Sequence, residues 1–206
     1  MEEKDIHSEL ASIRSLMERS SKFLSLSGLS GVMAGIYALI GAFIGYKIVN
    51  EKYGSLVISD SYTDNSLVYH QLILIAGLIL LLSILSGLLL SIRQAKKKGE
   101  NYWNPVSRRL ISSMAIPLFS GGLFIIILFL RLEYDLIPSA CLIFYGLSLI
   151  SASQYTFSDV KWLGFCQIIL GLLAALIPAS GLLFWVIGFG LLHIIYGTVM
   201  HFKYNR

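Results

Sequence analysis

Charged residues are scarce in this chain. Its 206 residues include 16 Lys and Arg and 12 Asp and Glu, 14% in all, against about 25% in a soluble domain. Hydrophobic residues make up 56%, and so few charges cannot coat that much apolar side chain against water. A mean hydropathy of +0.74 points the same way. Cysteine is nearly absent. Cys141 and Cys166 stand near the starts of two successive apolar runs, hence on opposite sides of any membrane those runs cross. A bridge needs Cα atoms within about 7 Å, so no intrachain disulfide is expected. Two lone thiols without a CxxC pair make no metal site. Phosphate-binding glycine loops, HExxH and paired carboxylates inside apolar runs are all missing, which makes an enzyme the least favoured class. No metal and no cofactor are expected.

What the chain does have is six long apolar runs, at Phe23–Tyr46, Leu67–Ile92, Leu110–Leu130, Leu136–Tyr155, Val160–Ile177 and Gly181–Phe202. Each is long enough for about 30 Å of hydrocarbon at about 1.5 Å per residue. The runs are continuous rather than alternating, which excludes barrel strands. The expected fold is an all-α membrane protein, a bundle of six transmembrane helices in three antiparallel hairpins. Residues 23–206 form that domain. Residues 1–22 read as a short amphipathic cytoplasmic helix rather than a cleaved leader, with Ile6, Leu10, Ile13 and Met17 at helical spacing.

Thirteen of the sixteen Lys and Arg fall on one side of this threading, including Arg93, Lys96, Lys97, Lys98, Arg108 and Arg109 in the second connection. Only Lys47, Lys52 and Arg131 fall on the other. Basic loops stay in the cytoplasm, so both termini are placed there, in a bacterial inner membrane, and only an even number of spans preserves the split. The net charge of +4 then belongs to membrane flanks and does not indicate nucleic acid. The Lys96, Lys97 and Lys98 cluster is expected to attract anionic lipid.

Local signals mark the helix ends. Asn104-Pro105 reads as a cap with a first-position proline. Asp135, Ser158 or Asp159, and Ser180 are candidate caps for the fourth, fifth and sixth helices, Pro178 stops the fifth, and Pro117 lies inside the third. Ile137-Pro138-Ser139-Ala140 echoes Ile177-Pro178-Ala179-Ser180, a possible internal repeat.

Candidate functional residues are few. Gly31, Gly35, Gly41 and Gly45 form two GxxxG pairs on the first helix. Small residues let helices approach closely in lipid, either within the bundle or at a homodimer seam. His193 falls about mid-membrane, where ionisable groups are expensive and are functional hypotheses by default. Tyr196, Tyr145, Gln167 and Tyr37 are the polar residues expected near it. An interhelical hydrogen bond, a place in a solute or proton path, and haem ligation all remain open for it. Gly28-Leu29-Ser30-Gly31 resembles the GxSG of rhomboid-type proteases, but Ser30 lies near the wrong end of an early helix and lacks a base within reach.

The final hairpin, Trp162 to Leu173 with Leu191 to Gly197, resembles hairpins of HdeD-type acid-stress proteins, small six-helix bacterial inner-membrane proteins. More broadly the chain is similar to six-helix inner-membrane proteins of uncharacterised role. The resemblance implies a six-helix bundle and carries no site residue across. The leading expectation is a non-enzymatic membrane protein of structural, stress-related or partner-binding type, associating with itself or a protein partner. The alternative is a small channel or facilitator for a neutral solute. A carboxy-terminal fluorescent-protein fusion should glow and an alkaline phosphatase fusion there should stay inactive; the opposite pair of results would reverse the topology.

Overall fold

A computed structural model describes residues 22–23, 26–53, 66–99 and 101–204, and among these the fold is all-helical. The amphipathic segment with Ile6, Leu10, Ile13 and Met17 lies outside the described residues. The helices are α1 (Gly28–Tyr53), α2 (Ser66–Lys97), α3 (Pro105–Leu130), α4 (Ile137–Ala152) and α5 (Val160–Leu176). A last rod follows in three pieces: α6 (Gly181–Trp185), a π-helical stretch (Val186–Leu192) and α7 (His193–Tyr204). One-turn 3-10 segments, Tyr134–Leu136 and Pro178–Ser180, lead into α4 and α6. The two echoing Ile-Pro sequences sit differently, Ile137-Pro138 opening α4 after its 3-10 turn and Pro178 opening the 3-10 turn ahead of α6.

Among the described residues, five segments are long and apolar enough to cross a membrane: Gly28–Asn50, Leu67–Lys97, Pro105–Leu130, Tyr134–Ala152 and Pro178–Tyr204. The fifth helix, Val160–Leu176, has 17 residues, about 26 Å at helical rise. It ends a residue early because Ile177 turns out of helical geometry ahead of Pro178 (φ −128°, ψ 72°).

The connections alternate between two ends. At one end the Phe23 amide donates to the Tyr155 carbonyl (2.7 Å) and Thr156 Oγ1 donates to the Phe23 carbonyl (2.8 Å). The Phe23 ring meets Tyr102 edge-on at 5.4 Å. Asp159 there accepts from Lys203 Nζ (2.7 Å) and the Tyr204 hydroxyl (3.0 Å). At the other end Tyr69 donates to Asp135 (3.2 Å) and stacks on Tyr134 (4.2 Å). The first end carries Lys96, Lys97, Lys98, Arg108, Arg109, Lys161 and Lys203; the second carries Lys47 and Arg131.

Glycines decide which helices touch. A Cβ on Gly146 would lie 2.7 Å from the Gly164 carbonyl oxygen, and one on Gly164 would lie 2.8 Å from the Gly146 carbonyl, so α4 and α5 meet backbone to backbone. Gly28, Gly31 and Gly35 of α1 face Gly197, His193 and Gly190 of the last rod in the same manner. Gly41 and Gly45 receive Ile79 and Leu72 of α2. The glycine pairs expected to serve either the bundle or a dimer are therefore filled within the chain. The pairing also departs from three separate hairpins. The most extensive packing joins α4 to α5 and the last rod to α1, because those are the surfaces whose glycines permit contact. Leu74 of α2, Ile116 of α3 and Leu176 of α5 stay more than 70% exposed, and apolar side chains cover the outside.

Asn104 caps α3 as expected, its Oδ1 accepting from the Ser107 amide (2.8 Å) while its own amide donates to Ser107 Oγ (3.0 Å). The other expected caps are corrected. Leu136, not Asp135, precedes α4, and no side chain caps it; the Asp135 carboxylate takes the Tyr69 hydroxyl instead. Ser180 makes no cap bond. Asp159 holds the cap position of α5, but its carboxylate turns to Lys203, a partner that carries the opposite full charge. That hydrogen bond holds the Asp159 carboxyl below its usual value. Its stabilising effect is present above the ordinary carboxylate range and fades as pH falls through the lowered value.

Even one methyl on Gly197 would sit 2.5 Å from the Val32 amide nitrogen and 2.6 Å from the Gly28 carbonyl oxygen, whereas nothing lies within 4 Å of Gly77. Gly197→Ala should therefore destabilise the protein in micelles by about 1–3 kcal/mol, and Gly77→Ala should be neutral or stabilising by up to about 1 kcal/mol. Equal damage from both would contradict this packing.

Candidate functional site: the buried His193 cluster

The last rod loosens where its sequence is richest in glycine. The stretch Val186–Leu192, containing Gly188 and Gly190, winds as a π-helix, and His193 follows it directly. Such wide turns interrupt α-helices mostly as single bulges, frequently at functional sites. A Cβ on Gly188 would fall 2.5 Å from Gln167 Oε1 and would strike the Leu142 side chain. Only glycine lets α4, α5 and the rod converge there.

Three polar side chains from three helices meet at this point. His193 Nδ1 lies 2.9 Å from the Gly188 carbonyl oxygen, and Gln167 Nε2 donates to the same oxygen at 2.8 Å. A carbonyl only accepts, so Nδ1 carries a hydrogen. In the neutral ring, Nε2 is then an acceptor, and the Tyr145 hydroxyl donates to it at 2.9 Å. The 3.4 Å separation of Gln167 Nε2 from Nδ1 brings two donors together and is no bond. Phe189 stacks against the imidazole at 5.8 Å and meets Tyr145 at 5.2 Å. Gln167 is fully buried and His193 is 5% exposed.

Hydrogen-bonding capacity is left over around this cluster. Gln167 Oε1 and the hydroxyls of Ser148 and Tyr196 are buried without a partner. Ser148 stands one helical turn from Tyr145 on α4, and Tyr196 one turn from His193 on α7.

No family model, curated protein or solved structure matches this chain. The site is therefore read from its own geometry.

Of the five polar residues expected to gather, His193, Tyr145 and Gln167 are joined by hydrogen bonds through the Gly188 carbonyl and Nε2. Tyr196 lies beside them along the rod but packs against the apolar group of Leu149, Phe157, Val160, Leu163 and Met200. Tyr37, on α1, makes no hydrogen bond to the cluster among the described residues. Gly188, Phe189, Leu142 and Ser148 complete the surroundings, and of these only Gly188, a glycine inside a helical run, left a sequence signal. Both imidazole nitrogens are engaged, so a haem iron would have to displace Tyr145 or break the Gly188 contact. Among the described residues no three His, Cys, Asp or Glu side chains gather as metal ligands. Ser30 donates to the Ser27 carbonyl at 2.6 Å, a local turn with no catalytic base. His70 packs edge-on against Phe129 at 4.9 Å, far along the chain from His193.

Tyr145→Phe leaves a buried Nε2 without its donor and should cost about 1–3 kcal/mol. In a double-mutant cycle with His193→Leu, a coupling of about 1 kcal/mol is expected in micelle unfolding. Strict additivity would mean that the two rings do not interact.

Proposed function

We propose that this chain is a non-enzymatic integral membrane protein of structural, stress-related or partner-binding type. It crosses the bacterial inner membrane six times, with α5 as the sixth span and both termini in the cytoplasm. The alternation of the helix connections between a basic end and a nearly base-free end supports this threading. So does the apolar outer surface, which in water would be an aggregation liability. The resemblance of the final hairpin to HdeD-type proteins agrees with it.

The observation that carries the non-enzymatic reading is that both nitrogens of the buried imidazole are engaged within the protein. Tyr145 donates to His193, and His193 and Gln167 both donate to the Gly188 carbonyl, and none of the three lines a cleft of about 420 Å³ elsewhere in the bundle. Their work in this reading is to hold α4, α5 and the rod in register. Since the α1 glycines face α2 and the rod, a membrane partner would meet the exposed apolar flanks of α2 and α3. Lys96, Lys97 and Lys98 would meet anionic headgroups.

The second reading, a facilitator for a small neutral solute, draws on the unpartnered oxygens of Gln167, Ser148 and Tyr196. They are hydrogen-bonding stops that a passing hydroxyl compound could use. Stopped-flow swelling of proteoliposomes with glycerol and urea separates the two. The first reading expects no flux above empty liposomes. Flux that vanishes in His193→Leu while the fold persists would replace it with the second.

A further inference from the structure

The cleft between the base-poor ends of α1, α2, α4 and α6 is used by nothing described so far. Resting on the membrane-spanning reading, we propose that it holds one membrane lipid with an ammonium headgroup, its acyl chain in the cleft that α1 and α2 form with α4 and α6 and its head at Asp135. Three features carry this.

The first is size and depth. The cleft has a volume of about 420 Å³, within the roughly 300–1,000 Å³ of small-molecule sites. Along α2 it runs from Tyr69 to Ile79, about 15 Å at helical rise, which is half of a hydrocarbon core of about 30 Å. It therefore matches one leaflet. The second is its wall. Val49, Leu72, Ile75, Ile79 and Leu182 line it, and the small side chain of Ala76 leaves room beside them. Apolar walls of this kind suit an acyl chain and offer a polar solute no partner.

The third is the mouth. Asp135 is exposed there, and its one hydrogen bond among the described residues comes from the Tyr69 hydroxyl. No described lysine or arginine pairs with it. Tyr69 and Tyr134 stack beside it at 4.2 Å, and Trp185 borders the same cleft. A carboxylate among aromatic faces attracts an ammonium group through charge and through the ring quadrupoles. The same carboxylate repels a headgroup that is only anionic. Phosphatidylethanolamine meets these conditions and phosphatidylglycerol does not.

Native mass spectrometry of the full-length protein, equilibrated in detergent with equal amounts of these two lipids, tests the proposal. One phosphatidylethanolamine should be retained with roughly tenfold preference. Asp135→Asn should bring the two lipids to parity. Glu133→Gln, which removes a neighbouring exposed carboxylate outside the cleft, should leave the preference intact. Ala76→Phe, which puts a ring into the cleft, should abolish retention. Parity in the wild type, equal losses in Asp135→Asn and Glu133→Gln, or retention in a folded Ala76→Phe protein would each overturn it. The two carboxylate variants decide the matter even where Ala76→Phe does not fold. Dodecyltrimethylammonium binding with lipid parity would make a free cationic amphiphile the ligand and overturn the lipid assignment. Loss of the chain from membranes on a carbonate wash would instead defeat the membrane reading itself.

Discussion

Helices in this protein approach until their backbones touch, and they do so where glycine removes the side chain that would hold them apart. At Gly146 and Gly164 each helix presents a carbonyl to the other's Cα, and at Gly28 and Gly197 the same contact joins the first helix to the last. In lipid there is little hydrophobic drive to bring helices together, so van der Waals contact over such close faces supplies much of the association energy. The positions of α4, α5 and the last rod follow from these contacts, and so does the point at which their polar residues converge. Branched residues mark the other side of each contact: Ile143, Ile150 and Ile168 fill the grooves beside the glycines.

The π-helical stretch is the second constraint. A regular α-helix would advance the rod by a different rotation between Trp185 and His193, and the imidazole would leave the Gly188 carbonyl. With the wider turn, one carbonyl receives both Gln167 and His193. That shared acceptor places the ring hydrogen on Nδ1 and points Nε2 at Tyr145. A buried polar network specifies a structure most sharply when each member has its partner. Here the network is complete around the imidazole and incomplete at its margins, where Gln167 Oε1 and the Ser148 hydroxyl have none. This gradient is why a structural role is favoured for His193, and also why a polar solute is the natural rival.

The two ends of the bundle differ in chemistry. One is basic and tied by hydrogen bonds among the entry to α1, the α4–α5 turn and the final residues of the rod. The other is aromatic, has an acidic residue at the mouth of a cleft, and is nearly free of basic groups. The proposed lipid contacts follow this difference, with anionic headgroups at the first end and an ammonium one at the second.

Much of this could be read before any coordinates. Six runs of apolar residues, the sign of the charges between them, the Asn104-Pro105 cap and the stop at Pro178 depend on local chemistry and on the neighbour along the chain. Their bounds agree with the helices to within a turn or two. Asp135 does not cap α4, and Asp159 holds the cap position of α5 without a cap bond, because the partners that draw the two carboxylates, Tyr69 and Lys203, are 66 and 44 residues away. His193, Tyr145 and Gln167 were legible as buried polar groups of similar depth, since depth follows from position along a span. Their hydrogen bonds were not, and neither was the failure of Tyr37 to join them, because the rotation of each helix about its axis is set by packing. Composition thus determined the long apolar helices and the inventory of polar groups, and charge order carries the threading proposed for them. Tertiary structure alone decided which glycine faces meet, where the rod widens and where the cleft opens, because each of these is a contact between surfaces that sequence proximity does not bring together.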